Sequence, residues 1–282
     1  MPDYGHGLEF GTFLTPRNSP ATDPVDHAVL CEELGYDLVT FQDHPYQPRF
    51  LDTWTLLTWV AARTTRIRVS GNVLNLPLRQ PAVLARAAAS LDLLSGGRFD
   101  LGLGAGAFWD AIEAMGEPRR SPGEAVRALT EAIAIIRGIW AAGDRSPLRV
   151  AGRFHHVAGA KRGPAPTRAI PIVLGAYGPR MLRTVGRLAD GWLPSLGNLP
   201  PDGLAPGNAL IDEAATAAGR DPGQIRRWLN VPDSVGAEQL TALALADGIS
   251  TFVLSSDDET TLRAFAAETV PAVRAAVTAA RG

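Results

Sequence analysis

Cysteine, lysine and net positive charge are scarce or missing in this 282-residue chain. The chain has one cysteine, so it cannot form a disulfide within itself, and Cys31 falls in an amphipathic stretch where a buried thiol is expected. It has one lysine, Lys161, and its other basic residues are arginines spread along the sequence. The net charge is -2, so the chain lacks the basic surface that binding to nucleic acid requires.

Long apolar segments and common hydrolase motifs are also missing. No segment stays apolar for about 18 residues, and the first ten residues do not resemble a secretion signal. We therefore expect a cytoplasmic protein that does not interact with membranes. The patterns H-E-x-x-H, H-x-x-E-H, C-x-x-C and G-x-S-x-G do not occur. This disfavours a metal hydrolase and a serine hydrolase, and we expect no metal site.

Short apolar or β-branched runs alternate with amphipathic stretches along the whole chain, which predicts parallel strands joined by helices. The predicted strands are 9–14, 37–41, 67–70, 99–103, 170–174, 191–194, 225–229 and 251–254. The clearest predicted helices are 23–34, 82–94, 124–140, 180–188, 207–218 and 237–246. Eight such strands in a chain of this length indicate one α/β domain, residues 1–282, folded as a closed (β/α)8 TIM barrel.

One segment, residues 148–160, breaks this rhythm because its apolar residues alternate with period two. This pattern predicts a small β-hairpin inserted before the strand at 170–174. The adjacent His155 and His156 lie within it. Neighbours on a strand point to opposite faces, so these two imidazoles are not expected to bind the same metal ion.

The barrel prediction places function at the carboxyl ends of the strands, because the βα loops meet there. An Asp43–His44 pair follows the second predicted strand. A histidine beside a carboxylate can have its ring held for acid/base work, although the pair can equally be a loop entry that bonds only to the backbone. The other residues at this edge are Asn72, Val73, 104–109, 175–179, Ser195 and Asn230.

Two glycine-rich turns follow neighbouring strands. Residues 102–107, "GLGAGA", match G-x-G-x-x-G/A, the pattern of a dinucleotide-binding turn. Such a unit needs a second strand that ends in an acidic residue, but a long helical stretch follows here instead. Residues 175–182, "GAYGPRML", place Pro179 at a helix start with Arg180 just inside it, a natural seat for phosphate. Together they suggest one anionic ligand that spans both turns, whereas either alone could be only a turn.

Four segments, 34–45, 64–106, 123–140 and 171–195, together resemble the luciferase-like monooxygenase superfamily, flavin- and deazaflavin-dependent oxidoreductases built on a TIM barrel. They cover about half of the chain in the family's order. The resemblance implies that the ring of the cofactor lies in the barrel mouth. Its phosphate-bearing tail would lie along Gly104, Ala105, Gly106, Ala107, Gly175, Ala176, Tyr177, Gly178 and Arg180.

In the deazaflavin-dependent, methylenetetrahydromethanopterin reductase-like branch, the resemblance makes His44 the acid/base residue and Asp43 the residue that holds its ring. It also implies a non-prolyl cis peptide at Asn72–Val73, beneath the ring. The sequence departs from the branch in having Ala107, Phe108 and Trp109 where some sugar-phosphate dehydrogenases have an acidic residue. We expect Trp109 to form a wall of the pocket. The interval 231–239 is also short for the family.

The resulting hypothesis is an oxidoreductase that moves a hydride between coenzyme F420 and a small organic substrate, with His44 handling the coupled proton. Two alternatives stay open. One is an FMN-dependent monooxygenase of the same superfamily, in which His44 assists a peroxide intermediate. The other is a non-catalytic flavin- or deazaflavin-binding barrel, favoured if Asp43 and His44 point away from the mouth. Family members are frequently dimers, so a homodimer is also left open.

Overall fold

The strands form a closed parallel barrel in the computed structural model, which describes residues 2–200 and 202–282. In chain order they are β1 (Glu9–Leu14), β2 (Leu38–Phe41), β3 (Arg68–Gly71), β4 (Leu74–Asn75), β5 (Phe99–Gly104), β6 (Leu148–Ala151), β7 (His156–Ala160), β8 (Ile172–Leu174), β9 (Gly191–Trp192), β10 (Arg226–Pro232) and β11 (Thr251–Ser255). The sheet runs β3-β2-β1-β11-β10-β9-β8-β5, and pairing of β3 with β5 closes it. The two-residue β4 also pairs with β5. The predicted TIM barrel is therefore confirmed.

Helices follow the strands on the outside of the barrel. They are α1 (Asp23–Glu33), α2 (Thr53–Arg63), α3 (Pro81–Ser95), α4 (Trp109–Ala114), α5 (Pro122–Trp140), α6 (Pro179–Leu188), α7 (Leu204–Ala217), α8 (Ala237–Asp247), α9 (Glu259–Ala264) and α10 (Val270–Arg281). A π-helical turn, Phe265–Thr269, joins the last two. No helix in the described part of the chain is both long enough and apolar enough to cross a membrane.

Helix α2 is not among the predicted helices. Its sequence, TWTLLTWVAAR, is rich in threonine and tryptophan, which have only moderate helix propensity. The structure is helical there because Asp52 caps the first turn by accepting from the Thr55 amide, and because Leu56, Leu57 and Val60 are buried. Tertiary burial thus outweighs propensity at this position.

The predicted hairpin is confirmed, since β6 and β7 pair antiparallel. Strand positions agree with the prediction, but lengths differ: β10 runs to Pro232, whereas β9 has only two residues. Such differences arise because hydrogen-bond pairing, rather than hydropathy, decides where a strand ends.

The interior of the barrel is a packed cluster of residues from several strands. Leu38, Val173, Leu193, Trp228 and Val253 contact one another there. Above them, Phe13 and Val73 pack on this cluster and also line a cavity at the mouth. The barrel is therefore filled, and its carboxyl end is the place where a ligand can enter.

Candidate active site

A cavity of about 530 Å³ opens at the carboxyl ends of the strands. The structure brings to its lining every residue predicted as catalytic or cofactor-binding except Arg180. These are Asp43, His44, Asn72, Val73, Gly104, Ala105, Gly106, Ala107, Gly175, Ala176, Tyr177 and Gly178. Ser195 and Asn230, predicted to lie at the same edge, are also there. The functions of these residues stay predictions, but they share one site.

His44 lines this cavity beside two aromatic rings, which also contact each other. Its ring centroid lies 5.2 Å from that of Phe108 and 5.4 Å from that of Tyr46, both in edge-on arrangements. The Tyr46 hydroxyl is 2.6 Å from Nδ1, which leaves Nε2 as the ring nitrogen available to a ligand. Burial lowers the pKa of His44, and the nearby Asp43 charge opposes that shift in part. This shift favours the neutral imidazole, the form in which the ring can act as a base.

The predicted function of Asp43 in holding the His44 ring is wrong. The Asp43 carboxylate accepts from Arg79 Nε at 2.7 Å and from Arg79 Nη2 at 2.8 Å, and it also accepts from the Asn75 amide at 2.8 Å. Its side chain is 1% exposed, so these bonds satisfy an otherwise buried charge. Arg79 reaches on to Asp52, the cap of α2. Asp43 therefore links the loop after β2 to the segment that contains Asn75 and Arg79, and Tyr46 contacts the His44 ring.

The floor of the cavity is a chain of amide and hydroxyl groups. Asn72 and Asn230 exchange two hydrogen bonds, at 2.7 and 3.1 Å, across the barrel. Asn230 also donates to the Ser195 hydroxyl at 3.0 Å. The expected cis peptide at Asn72–Val73 is confirmed. Strands on opposite sides of the mouth are thus linked below the cavity.

The glycines of the first turn serve the protein's own packing, in line with the alternative that this stretch is only a turn. A Cβ at Gly104 would lie 2.6 Å from Val73 Cγ2, so this glycine makes room for the Val73 side chain. Gly106 has φ +98, a conformation that favours glycine, and a Cβ there would meet Pro77 and Trp109. A ligand is therefore not needed to explain either position.

The second turn differs because it leads into the start of helix α6, where the surrounding space is open. No side chain caps this helix at Gly178, and a Cβ on Gly178 would meet nothing within 4 Å. The uncapped amides and the helix dipole favour an anion there. Arg180, one residue inside the helix, is exposed and lines a separate groove of about 430 Å³ together with Arg183 and Arg187. Its predicted contact with a cofactor tail stays a prediction.

Two further expectations concern the loop after β5. The prediction of Trp109 as a pocket wall is wrong: its ring packs beside Gly106, and Phe108 lines the cavity instead. Asp110 points into solvent and pairs with Arg119. The sequence has no acidic residue directly after these glycines, and Asp110 does not take the place of such a proton donor.

Sequence reasoning gave no function to Tyr46 or Arg79, and it placed Phe108 at the functional edge without foreseeing its contact with His44. Tyr46 lies two residues beyond His44, so its proximity could have been suggested by the sequence alone. Phe108 and Arg79 come from other loops, and their contacts depend on how these loops fold together.

The structure is thus a closed parallel barrel whose mouth holds a cavity lined by His44 and by both glycine-rich turns. The family model for luciferase-like monooxygenases matches residues 8–280, and the chain belongs to this family. The chain is 31% identical over 252 residues to a protein of Kineococcus radiotolerans named F420-dependent glucose-6-phosphate dehydrogenase, covering 85% of this chain and 72% of the relative. A protein of the same name from Nocardia farcinica is 34% identical over 247 residues, covering 84% and 71%.

A solved structure has the same fold at lower sequence identity. It is described as an F420-dependent secondary alcohol dehydrogenase in complex with an F420-acetone adduct, and it superimposes with a TM-score of 0.83. The match covers 95% of this chain and 99% of that one, at 18% identity. This likeness independently supports the barrel architecture.

Proposed function

We propose that the protein is an F420-dependent oxidoreductase that interconverts a small, uncharged alcohol and its carbonyl compound, with His44 as the acid/base residue. The observation that carries the proposal is that His44 and both glycine-rich turns line one cavity. The names of the two curated relatives support F420 as the cofactor.

The residues present fit this cofactor. The uncapped start of α6 suits its phosphate, because free amides and the helix dipole favour negative charge. In the cavity wall, Asn75 Oδ1 is buried without a hydrogen-bond partner, which suits a ligand that offers hydroxyl or N–H donors. Gly104–Ala107 and Gly175–Gly178 would hold F420, whose deazaflavin ring supplies the carbon that exchanges hydride.

The walls around His44 support an uncharged substrate. Tyr46 and Phe108 flank the imidazole, and Phe13, Met181 and Leu193 add further apolar surface to the cavity. The charge of Asp43 is already balanced by Arg79. Burying a phosphate ester against such walls costs far more free energy than burying a neutral alcohol. The substrate class we propose thus differs from the sugar phosphate in the relatives' names.

The test is equilibrium titration of the purified protein with F420 and with FMN in parallel, repeated on His44→Ala. We expect F420 to bind preferentially, and His44→Ala to bind it equally well while turnover of a secondary alcohol falls by about 10²–10⁴-fold, the usual contribution of a general acid or base. His156→Ala, in the exposed part of the hairpin, is the matched control and should keep full turnover.

Preference for FMN would replace this proposal with the monooxygenase alternative. F420 binding without turnover of any alcohol or carbonyl compound would favour a non-catalytic binding protein. Full turnover by His44→Ala would show that His44 is not the acid/base residue.

A further inference from the structure

The hydrogen bond between His44 and Tyr46 joins the imidazole to a group that none of the predicted functions includes. The Tyr46 hydroxyl lies 2.6 Å from His44 Nδ1. Phe108 contacts both rings, with centroids 5.2 Å from His44 and 6.3 Å from Tyr46. These contacts fix the plane of the imidazole, so one nitrogen faces the tyrosine and the other is left for the cavity.

The chemistry of a base then restricts where the proton of the neutral ring must be. A neutral imidazole carries one proton, and only the nitrogen without it has a lone pair for a substrate proton. Because Nδ1 is engaged by Tyr46, proton exchange with substrate has to occur at Nε2. To act as a base at Nε2, the ring must carry its own proton on Nδ1 and donate it to the tyrosine oxygen; the 2.6 Å contact fits either group as the donor.

We propose that Tyr46 is a positioning residue that keeps the proton of neutral His44 on Nδ1 and thereby makes Nε2 the atom that exchanges a proton with substrate. The substrate part of this inference rests on the proposed function. The tautomer is a property of the protein alone, and it can be measured without cofactor or substrate.

The proton transfer balances within this pair. When an alcohol is oxidised, its O–H bond breaks, the proton forms a bond to Nε2, and the ring becomes an imidazolium whose Nδ1–H still donates to Tyr46. When a carbonyl compound is reduced, the ring must start as the imidazolium: its Nε2–H bond breaks, the proton goes to the substrate oxygen, and the neutral ring that remains keeps its proton on Nδ1. Tyr46 stays a neutral hydroxyl in both directions.

The surroundings of Tyr46 agree with a positioning function rather than a proton-donating one. Burial raises the pKa of its hydroxyl, and the negative charge of Asp43 raises it further. A tyrosinate is therefore disfavoured at physiological pH. The hydroxyl is a stable hydrogen-bond partner for Nδ1 and a poor source of protons.

The test is a ¹⁵N NMR measurement of histidine tautomers in the cofactor-free protein, for the wild type and for Tyr46→Phe. Phenylalanine keeps the ring against His44 and Phe108 and removes only the hydroxyl. We expect wild-type His44 to carry its proton on Nδ1, and Tyr46→Phe to shift it toward the Nε2–H form that free histidine favours. The signals of the other histidines should not move, and they serve as internal controls for folding.

The matched control is Tyr36→Phe, which removes a tyrosine hydroxyl that donates to the Leu262 carbonyl, away from the cavity. It should leave the tautomer of His44 unchanged. A wild-type ring protonated on Nε2, or a Tyr46→Phe ring with an unchanged tautomer, would overturn the inference.

Steady-state kinetics of Tyr46→Phe supply a second measurement once a substrate has been identified. Tyr46→Phe should lower kcat for alcohol oxidation by about tenfold, as expected for one hydrogen bond to a charged group, with KM nearly constant. Unchanged kcat would contradict the inference. Absence of F420 turnover in the wild type would refute the proposed function, and the NMR result would still decide the tautomer.

Discussion

Asp43→Asn is the substitution that best separates a structural carboxylate from a catalytic one. The carboxylate lies against Arg79, with N–O distances of 2.7 and 2.8 Å, and accepts the Asn75 amide. An asparagine has nearly the same shape but must direct an N–H group toward one of these donors. We therefore expect the substitution to break the ion pair and leave a largely buried guanidinium that only Asp52 partly balances.

The size of the effect follows from the burial of the pair. The Asp43 side chain is 1% exposed and that of Arg79 is 16% exposed. Removing one partner of a buried ion pair lowers the free energy of unfolding by about 3–5 kcal/mol. Because Arg79 keeps its contact with Asp52, we expect a loss of about 3 kcal/mol here. In a chain of this length, that loss lowers the melting temperature by about 6 °C.

The assay is urea and thermal unfolding of the wild type, Asp43→Asn and the matched control Asp52→Asn. Asp52 contacts the same arginine but is 46% exposed, and asparagine is also a good helix cap. The control should therefore lose no more than about 1 kcal/mol. Equal losses from the two variants would refute the structural interpretation. So would a loss of turnover in folded Asp43→Asn as large as that of His44→Ala.

Three other outcomes are expected. Because burial lowers the pKa of His44 below its ordinary value of 6.5, kcat/KM for alcohol oxidation should be constant above that pKa and fall on acidification below it; a pH–rate profile with its midpoint above 6.5 would contradict this. Gly104→Ala should lose about 1–3 kcal/mol in thermal unfolding, because its Cβ would lie 2.6 Å from Val73 Cγ2. Gly178→Ala, which meets open space, should change stability by less than about 1 kcal/mol, and equal losses would refute the packing argument. Arg227→Met should cost about 3 kcal/mol in urea unfolding, since the guanidinium is fully buried against a carboxylate and an amide; a neutral result would show that this network is dispensable.

The barrel was predictable because its determinants are local. Strands such as β2 (LVTF) and β5 (FDLGLG) are buried at every position and appear in the sequence as short segments rich in apolar residues, as parallel strands do. Once the strands are located, the fold places the residues after them at one rim. This is why His44 and the turn at Gly175–Gly178 can be assigned to one site from the order of strands and loops alone.

The wrong assignments depended on contacts that sequence order does not encode. Arg79 is 36 positions beyond Asp43 and lies after a different strand, so the ion pair that removes Asp43 from His44 could not be inferred from the adjacent pair of letters. Phe108 and Trp109 are neighbours, and only the folding of their loop decides which one faces the cavity. The contact between Gly104 and Val73 was not predictable either, because a missing Cβ does not reveal which atom fills the space.

The reciprocal amides of Asn72 and Asn230 have a further consequence for recognition. Each side chain already supplies the other with a donor and an acceptor, so neither gains much from a polar group that approaches from above. A ligand that needs one of these amides must first separate the two. The polar groups below a bound ligand are therefore already hydrogen-bonded to each other, and selectivity has to come from residues at the sides of the mouth.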